Sequence, residues 1–271
     1  MLRTVAELVR APAALTVLGD TVAGSATAGL PLRGRRLMLP LASVAFYWAG
    51  MALNDWADRE LDADERPERP LPSGRIRPAQ ALGVATGLTA AGLGLSVLAG
   101  GRAALKTAVP LAGAIWAYDL VAKSTPAGPA VMALCRGLDV LLGSGAKALP
   151  AAAVIAGHTL GLTALSRGEV HGASRTQTAI ALTGTLAATA AAVRPRTVAW
   201  AAAYLATVGP AQLAARHEPS AARVRAATKA GIHAMIPLQA ALTARTSVWT
   251  AAVLSALLPL ARKLSRRVSP T

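Results

Sequence analysis

The densest chemistry in the chain lies in the run Asn54-Asp55-Trp56-Ala57-Asp58-Arg59-Glu60-Leu61-Asp62. Seven of the thirteen Asp and Glu residues fall between 55 and 68, a concentration that needs a physical reason in a chain that otherwise rations charge. If residues 54–62 continue one helix, Asp55, Asp58 and Asp62 stand at i, i+3 and i+7 and share a face, with Asn54 beside Asp58. Three like charges so placed repel one another, and at bilayer depth each costs about 2.5 to 3.5 kcal/mol on insertion scales. A divalent cation removes the conflict. Mg²⁺ favours hard oxygens and binds through one or two carboxylates while a substrate's phosphate oxygens complete its octahedron. The residues that follow, Arg66-Pro67-Glu68-Arg69-Pro70-Leu71-Pro72-Ser73-Gly74-Arg75-Ile76, carry guanidinium groups on a proline-stiffened segment, and guanidinium grips phosphate through paired hydrogen bonds. Acids for a metal followed closely by arginines for an anion make a diphosphate arrangement. For an arbitrary acidic loop the bland reading, a solvated segment whose acids balance five arginines, would be preferred; here the arginines shift the balance.

Whatever holds this motif is a membrane protein by composition. Of 271 residues, 54% are hydrophobic and 15% charged, and apolar stretches recur from end to end. They fall at roughly 11–29, 37–55, 79–99, 103–121, 128–147, 149–165, 178–193, 197–214, 227–243 and 247–261, several of them in the range of about 17 to 25 residues that a spanning helix needs. The expected fold is all-α: a polytopic transmembrane bundle of nine to ten helices around a central cavity, forming a single domain over residues 1–271. The N-terminus resembles a cleaved signal only faintly, because Glu7 and Asp20 interrupt its basic and apolar regions, and we read it as the first transmembrane helix. The net charge of +15 points to phospholipid headgroups and not to nucleic acid, since the basic residues cluster between apolar runs and aromatics are 3% of the chain. The lone Cys135 excludes an internal disulfide and reads as a small packing residue.

Cytoplasmic loops carry the Lys and Arg excess. With the N-terminus inside, the inner segments hold eighteen basic residues, four of them between 262 and 267, and the outer loops hold nine. The expected location is therefore a cell membrane, crossed many times, with the N-terminus and the loops at 56–77, 122–127 and 166–177 on the cytoplasmic side. Arg136 and Asp139 lie three apart well inside an apolar run, where charge is functional by default. They either contact substrate or form a structural pair with each other, and Asp139 has Asp20 of the first helix as a further neighbour across a polar cavity.

Residues 54–62 match N-D-x-x-D-x-x-x-D, and with the following R-P-x-R-P-L-P-S-G-x-I they complete a signature that resembles the UbiA superfamily of intramembrane prenyltransferases. The unbroken match covers about 23 residues. The resemblance implies an Mg²⁺-dependent enzyme that holds a polyprenyl diphosphate between two acidic loops and passes the prenyl group to a small acceptor. Asp55, Asp58 and Asp62 would then be metal and diphosphate ligands, oriented with Asn54 and flanked by Arg66 and Arg69. The segment Tyr118-Asp119-Leu120-Val121-Ala122-Lys123 resembles the family's next cytoplasmic loop, in which Lys123 would face the diphosphate; otherwise Lys123 is an interfacial lysine that snorkels. Under either reading Lys123, at i+4, is within pairing reach of Asp119. Arg10 resembles an arginine used near the acceptor pocket. The second acidic motif departs from the family: where D-x-x-x-D is expected, the chain reads Leu165-Ser166-Arg167-Gly168-Glu169-Val170-His171-Gly172. Glu169 would hold a second metal with Ser166 or His171, or Arg167 would supply the missing charge, or ionisation is crippled. This shortened form looks like the EboC-like branch. The rival readings are phosphoribosyl-type transfer to a polyprenyl phosphate, and a non-catalytic prenyl-lipid binder or transporter.

Overall fold

Prolines and hydroxyl caps mark where the apolar runs become helices. Pro78, Pro129 and Pro150 occupy the first turns of their helices, where a missing N–H costs nothing. Ser174 and Gln177 close a reciprocal capping box on another. The computed structural model describes residues 2–264, so Arg266 and Arg267 of the C-terminal basic cluster lie outside the described residues. Its helices are α1 (Leu2–Leu8), α2 (Leu18–Thr27), α3 (Met38–Ala57), α4 (Arg59–Glu65), α5 (Pro78–Gly100), α6 (Leu105–Ala117), α7 (Gly128–Leu141), α8 (Leu149–Ser166), α9 (Arg175–Ala192), α10 (Val198–His217), α11 (Ala221–Ala244), α12 (Val248–Ser255) and α13 (Leu257–Leu264). There is no strand among the described residues. The molecule is an all-α transmembrane bundle, as its composition predicts; Gly34–Ala57, Pro78–Ala122, Gly145–Ser166 and Val198–His217 are long and apolar enough to cross a bilayer by themselves.

The expected runs 11–29, 128–147 and 247–261 are not single helices; in 128–147, α7 ends at Leu141 and a 3₁₀ turn follows over Gly145–Ala148. The run 247–261 splits at Ala256 into α12 and α13, each about 12 Å long by helical rise and too short to span alone. Pro259 explains the split, because its ring clashes with the carbonyl four residues earlier, that of Ser255, where α12 ends. The run 11–29 begins as a 3₁₀ turn over Ala11–Thr16 and becomes α2 only at Leu18. This break frees backbone carbonyls at bilayer depth, which must find partners inside the protein. Thr16 O accepts from Arg136 Nη2 at 3.0 Å and from Gln239 Nε2 at 2.8 Å, and Val17 O accepts from Ser43 Oγ at 3.3 Å.

The bundle is organised around α11, which is buried without interruption from His233 to Ala244 and packs against α2, α8, α10 and α12. Helices α3 and α5 form a second closely packed pair. Small residues set the approach distances: a Cβ on Gly24 would lie 1.9 Å from Val140 O of α7. Contacts divide the loops between two ends. At one end the N-terminal segment meets the arginine-rich loop through Glu7–Arg75, Arg167 reaches Thr125 O, and Ala173 N donates to Pro219 O. At the other, Arg36 donates to Gly143 O and Ser25 contacts Ser144.

Candidate active site

The acid-bearing segment is nearly, but not fully, one helix. Helix α3 ends at Ala57, Asp58 adopts φ −91° and ψ 8°, and α4 resumes at Arg59. Hydrogen bonds from Asp58 N to Asn54 O (2.9 Å) and from Asp62 N to Asp58 O (2.8 Å) carry the helical register across the break, so the three aspartates still share a wall. Asp55 and Asp62 are buried, whereas the Asp58 side chain keeps 26% of its exposure.

Buried carboxylates require cations, and each here receives one from a different stretch of chain. Arg10 Nη2 lies 2.9 Å from Asp55 Oδ1. Arg69 Nη1 lies 2.6 Å from Asp62 Oδ2 and 3.5 Å from Asp55 Oδ1, and Arg66 Nη1 stands 3.6 Å from Asp62 Oδ1. Lys123 Nζ lies 2.7 Å from Asp58 Oδ1. Arg10 reaches its partner from a left-handed backbone (φ 45°, ψ 52°), the only positive φ at a non-glycine among the described residues. Such a conformation costs on the order of 1 kcal/mol or more and persists where surrounding contacts impose it. The arginine segment is itself braced, with Arg75 Nη2 donating to Glu68 O at 2.7 Å and Arg75 paired with Glu7. Those contacts with Arg75 and Arg3 hold the Glu7 carboxyl below its ordinary range.

The arginines that pair with Asp55 and Asp62, rather than the carboxylates themselves, line a cavity of about 430 Å³: Arg10, Arg66 and Arg69 with Asn54 stand on one side, and Thr159, Thr163, Ser166, Glu169 and Thr228 on the other. Tyr47, Tyr118, Met132 and Arg136 line both this cavity and a narrower apolar arm, which continues past Phe46, Leu111, Ile115 and Cys135. A polar chamber with an apolar arm suits a molecule with a charged head and a hydrocarbon tail.

Several expectations need correction. Asp119 does not pair with Lys123: a π-helical turn over Tyr118–Ala122 aims Asp119 Oδ1 at Asn54 Nδ2 (3.2 Å) and leaves Lys123 to Asp58. Arg136 and Asp139 do not pair with each other. Arg136 Nη2 lies 3.1 Å from Asp20 Oδ2, while Asp139 accepts from Ser43 Oγ and interacts electrostatically with Asp20. Arg136 therefore braces the broken first helix while lining the cavity. Arg167 is outside the cavity, exposed and donating to Thr125 O at 2.6 Å. Asp55, Asp58 and Asp62 do not close on one metal-sized point, since no three His, Cys, Asp or Glu side chains come together there among the described residues. Glu169 instead stands on the facing wall beside Ser166, where burial pushes its carboxyl above its ordinary value against the opposing charges of Arg225 and Arg66. Gln239, which donates to Asp20 Oδ1 at 2.7 Å, and the Thr159–Thr163 pair went unread in the sequence. Their signal is there: an amide inside an apolar run, and hydroxyls at i, i+4 and i+7 with Ser166.

The family model for the UbiA prenyltransferase family matches residues 14–266. The digeranylgeranylglyceryl phosphate synthase of Methanopyrus kandleri is 33% identical over 142 residues, 52% of this chain and 52% of its own length. That of Natronomonas pharaonis is 35% identical over 142 residues, covering 52% and 50%. The chain thus spans about half the length of the curated relatives it matches. Among solved structures, the apo form of a UbiA homologue from Aeropyrum pernix K1 superposes with a TM-score of 0.68 at 16% identity, over 84% of this chain and 96% of that one. A structure of digeranylgeranylglyceryl phosphate synthase superposes with a TM-score of 0.65 at 20% identity, over 89% and 97%. At such identities the two structures speak to the fold.

Proposed function

Because the chain belongs to the UbiA prenyltransferase family, we propose that it moves a prenyl group from a polyprenyl diphosphate to a small acceptor inside the bundle, at the wall formed by Asp55, Asp58 and Asp62. The observation that carries this reading is the matching of those three acids by Arg10, Arg66, Arg69 and Lys123 at a chamber that continues into an apolar arm. A Mg²⁺ ion fits the donor set, which is all hard oxygen, and the lack of a closed three-acid cluster suits an ion that keeps most of its coordination for phosphate and water. One or two of Asp55, Asp58 and Asp62 would hold it, Asp58 being the most open of the three. Its contribution when bound is to neutralise charge on the departing diphosphate.

The chain's own groups do the rest. Arg66, Arg69 and Lys123 exchange part of their carboxylate contacts for phosphate oxygens, and Asn54 keeps Asp119 oriented behind them. The carbon–oxygen bond to the diphosphate breaks with both electrons leaving on the diphosphate, an oxygen of the acceptor forms the new bond to the allylic carbon, and the acceptor's proton passes to the released diphosphate. Preorganised cations aimed at the leaving group lower the barrier without reorganisation. The arm lined by Phe46, Leu111 and Ile115 keeps water from the electrophilic carbon. The relatives' shared name supports a glyceryl phosphate bearing one geranylgeranyl chain as acceptor and geranylgeranyl diphosphate as donor. The excess of basic residues on the same end supports a cell-membrane enzyme whose acid wall faces the cytoplasm.

Purified protein in detergent with Mg²⁺, geranylgeranyl diphosphate and geranylgeranylglyceryl phosphate is expected to yield a product heavier than the acceptor by one geranylgeranyl group. Absence of that product across acceptors, or transfer only with phosphoribosyl diphosphate and a polyprenyl phosphate, would overturn the reading.

A further inference from the structure

The wall opposite the aspartates has no role in the scheme above, yet it is built for a polar ligand. Thr159, Thr163 and Ser166 stand at i, i+4 and i+7 of α8 and line the cavity with Thr228 of α11 and Glu169, so one face of an otherwise apolar helix carries a ladder of hydroxyls. The Thr159 hydroxyl donates to Ile155 O at 2.9 Å and that of Ser166 to Thr163 O at 3.0 Å, which leaves the lone pairs of both oxygens free to accept. Thr228 is 3% exposed and leans towards Glu169, but neither Thr228 Oγ1 nor Glu169 Oε1 completes a well-formed hydrogen bond. Native interiors rarely leave such groups unsatisfied. Two incompletely bonded groups side by side on a cavity wall mark a place that a hydroxylated molecule completes.

The position of α11 here is fixed and close. His158 of α8 bridges Tyr204 OH (2.7 Å) and Gly231 O (3.1 Å), and a Cβ on Gly231 would meet Leu162 at 2.5 Å. The wall is therefore a rigid surface and not a gap awaiting collapse. Its chemistry is also complementary to that of the opposite side. Arg10, Arg66 and Arg69 face it with Asn54 of α3, whereas this wall offers neutral hydroxyls and one carboxyl, a poor surface for diphosphate and a good one for an alcohol.

We propose that the α8–α11 wall, through Thr163, Ser166, Glu169 and Thr228, is the binding site for the hydroxyl-bearing head of the acceptor, and that it stands where a second metal-binding wall would otherwise be. The proposal rests on the transfer reading above and deepens it by assigning the two substrates to opposite walls.

The test is binding, measured separately for the two substrates by ligand-dependent thermal stabilisation of the full-length protein in detergent with Mg²⁺. The probes are geranylgeranylglyceryl phosphate and geranylgeranyl diphosphate. In the Thr163→Val/Thr228→Val variant the acceptor's apparent Kd is expected to rise at least tenfold, with that of the diphosphate within twofold of wild type. Ser166→Ala, a smaller change at a half-buried position, is expected to weaken the acceptor alone by about threefold, and it stands in if the double variant does not fold. An unchanged acceptor Kd, equal weakening of both probes, weakening of the diphosphate alone, or no acceptor binding by wild type would each overturn the assignment. Failure of the transfer reading shows differently, as a wild-type protein that binds both probes and forms no joined product.

Discussion

Asn54 holds the buried Asp119 carboxylate by a single 3.2 Å hydrogen bond, so Asn54→Leu leaves a buried acceptor without its donor. Removing one partner of a buried pair costs about 1 to 3 kcal/mol, and a fall in thermal unfolding temperature in detergent of corresponding size is expected; an unchanged midpoint would show that Asp119 is satisfied elsewhere. Lys123 is the cation on Asp58. Lys123→Met is expected to raise the KM for prenyl diphosphate about tenfold or more, the scale of one charge-assisted hydrogen bond, in steady-state assays at saturating acceptor. At this scale the aspartate face was legible from spacing alone, because i, i+3 and i+7 survive the break at Asp58. The partners were not. Asp58 and Lys123 are 65 positions apart in sequence, and nothing local announces that a π-helical turn redirects Asp119 to Asn54.

Among the elements, the closest approach is that of α2 to α7 at Gly24. A methyl group there would lie 1.9 Å from a backbone oxygen that cannot rotate away. Gly24→Ala is therefore expected to destabilise the bundle by about 1 to 3 kcal/mol in a thermal unfolding experiment, while Gly83→Ala, which meets nothing within 4 Å, leaves the midpoint unchanged or raises it. The contact between α1 and the arginine segment is pH-dependent. Glu7, with its carboxyl held low by Arg75 and Arg3, contributes stability that is present above its ordinary value of 4.5 and is lost as the pH falls through the lowered one. The hydrogen-exchange protection of residues 66–77, taken relative to the intrinsic rate at each pH, is expected to fall on acidification, and to be insensitive to pH over that window in Glu7→Gln. Sequence pattern located the spanning runs well, since apolar length governs them. It did less well at breaks: Pro259 divides α12 from α13, yet Pro110, Pro210 and Pro237 sit inside α6, α10 and α11, where neighbouring helices and local adjustment accommodate the lost hydrogen bonds.

For the whole molecule, the two-ended arrangement of loops turns an orientation into a measurable claim. The native Cys135 is buried, so single cysteines introduced at exposed loop positions report on sidedness. In intact cells Arg35→Cys is expected to react with a membrane-impermeant maleimide, and Ser124→Cys only after permeabilisation; the reverse pattern would invert the orientation. The gathering of Arg10, Asn54, Arg66, Arg69 and Glu169 around one chamber emerges only from tertiary packing, although the basic excess of their loops already predicts a common side for them. The central claim is that the Asp55–Asp58–Asp62 wall with its four cations binds and activates a prenyl diphosphate. Its most direct test is Mg²⁺-dependent release of diphosphate from geranylgeranyl diphosphate in the presence of geranylgeranylglyceryl phosphate, by wild type and by Asp55→Asn and Asp58→Asn. Wild type is expected to release diphosphate in step with product, and each variant to be slower by about a hundredfold or more, the scale on which removal of one transition-state electrostatic group acts. Release at wild-type rates by both variants, or none by the wild type, would contradict it.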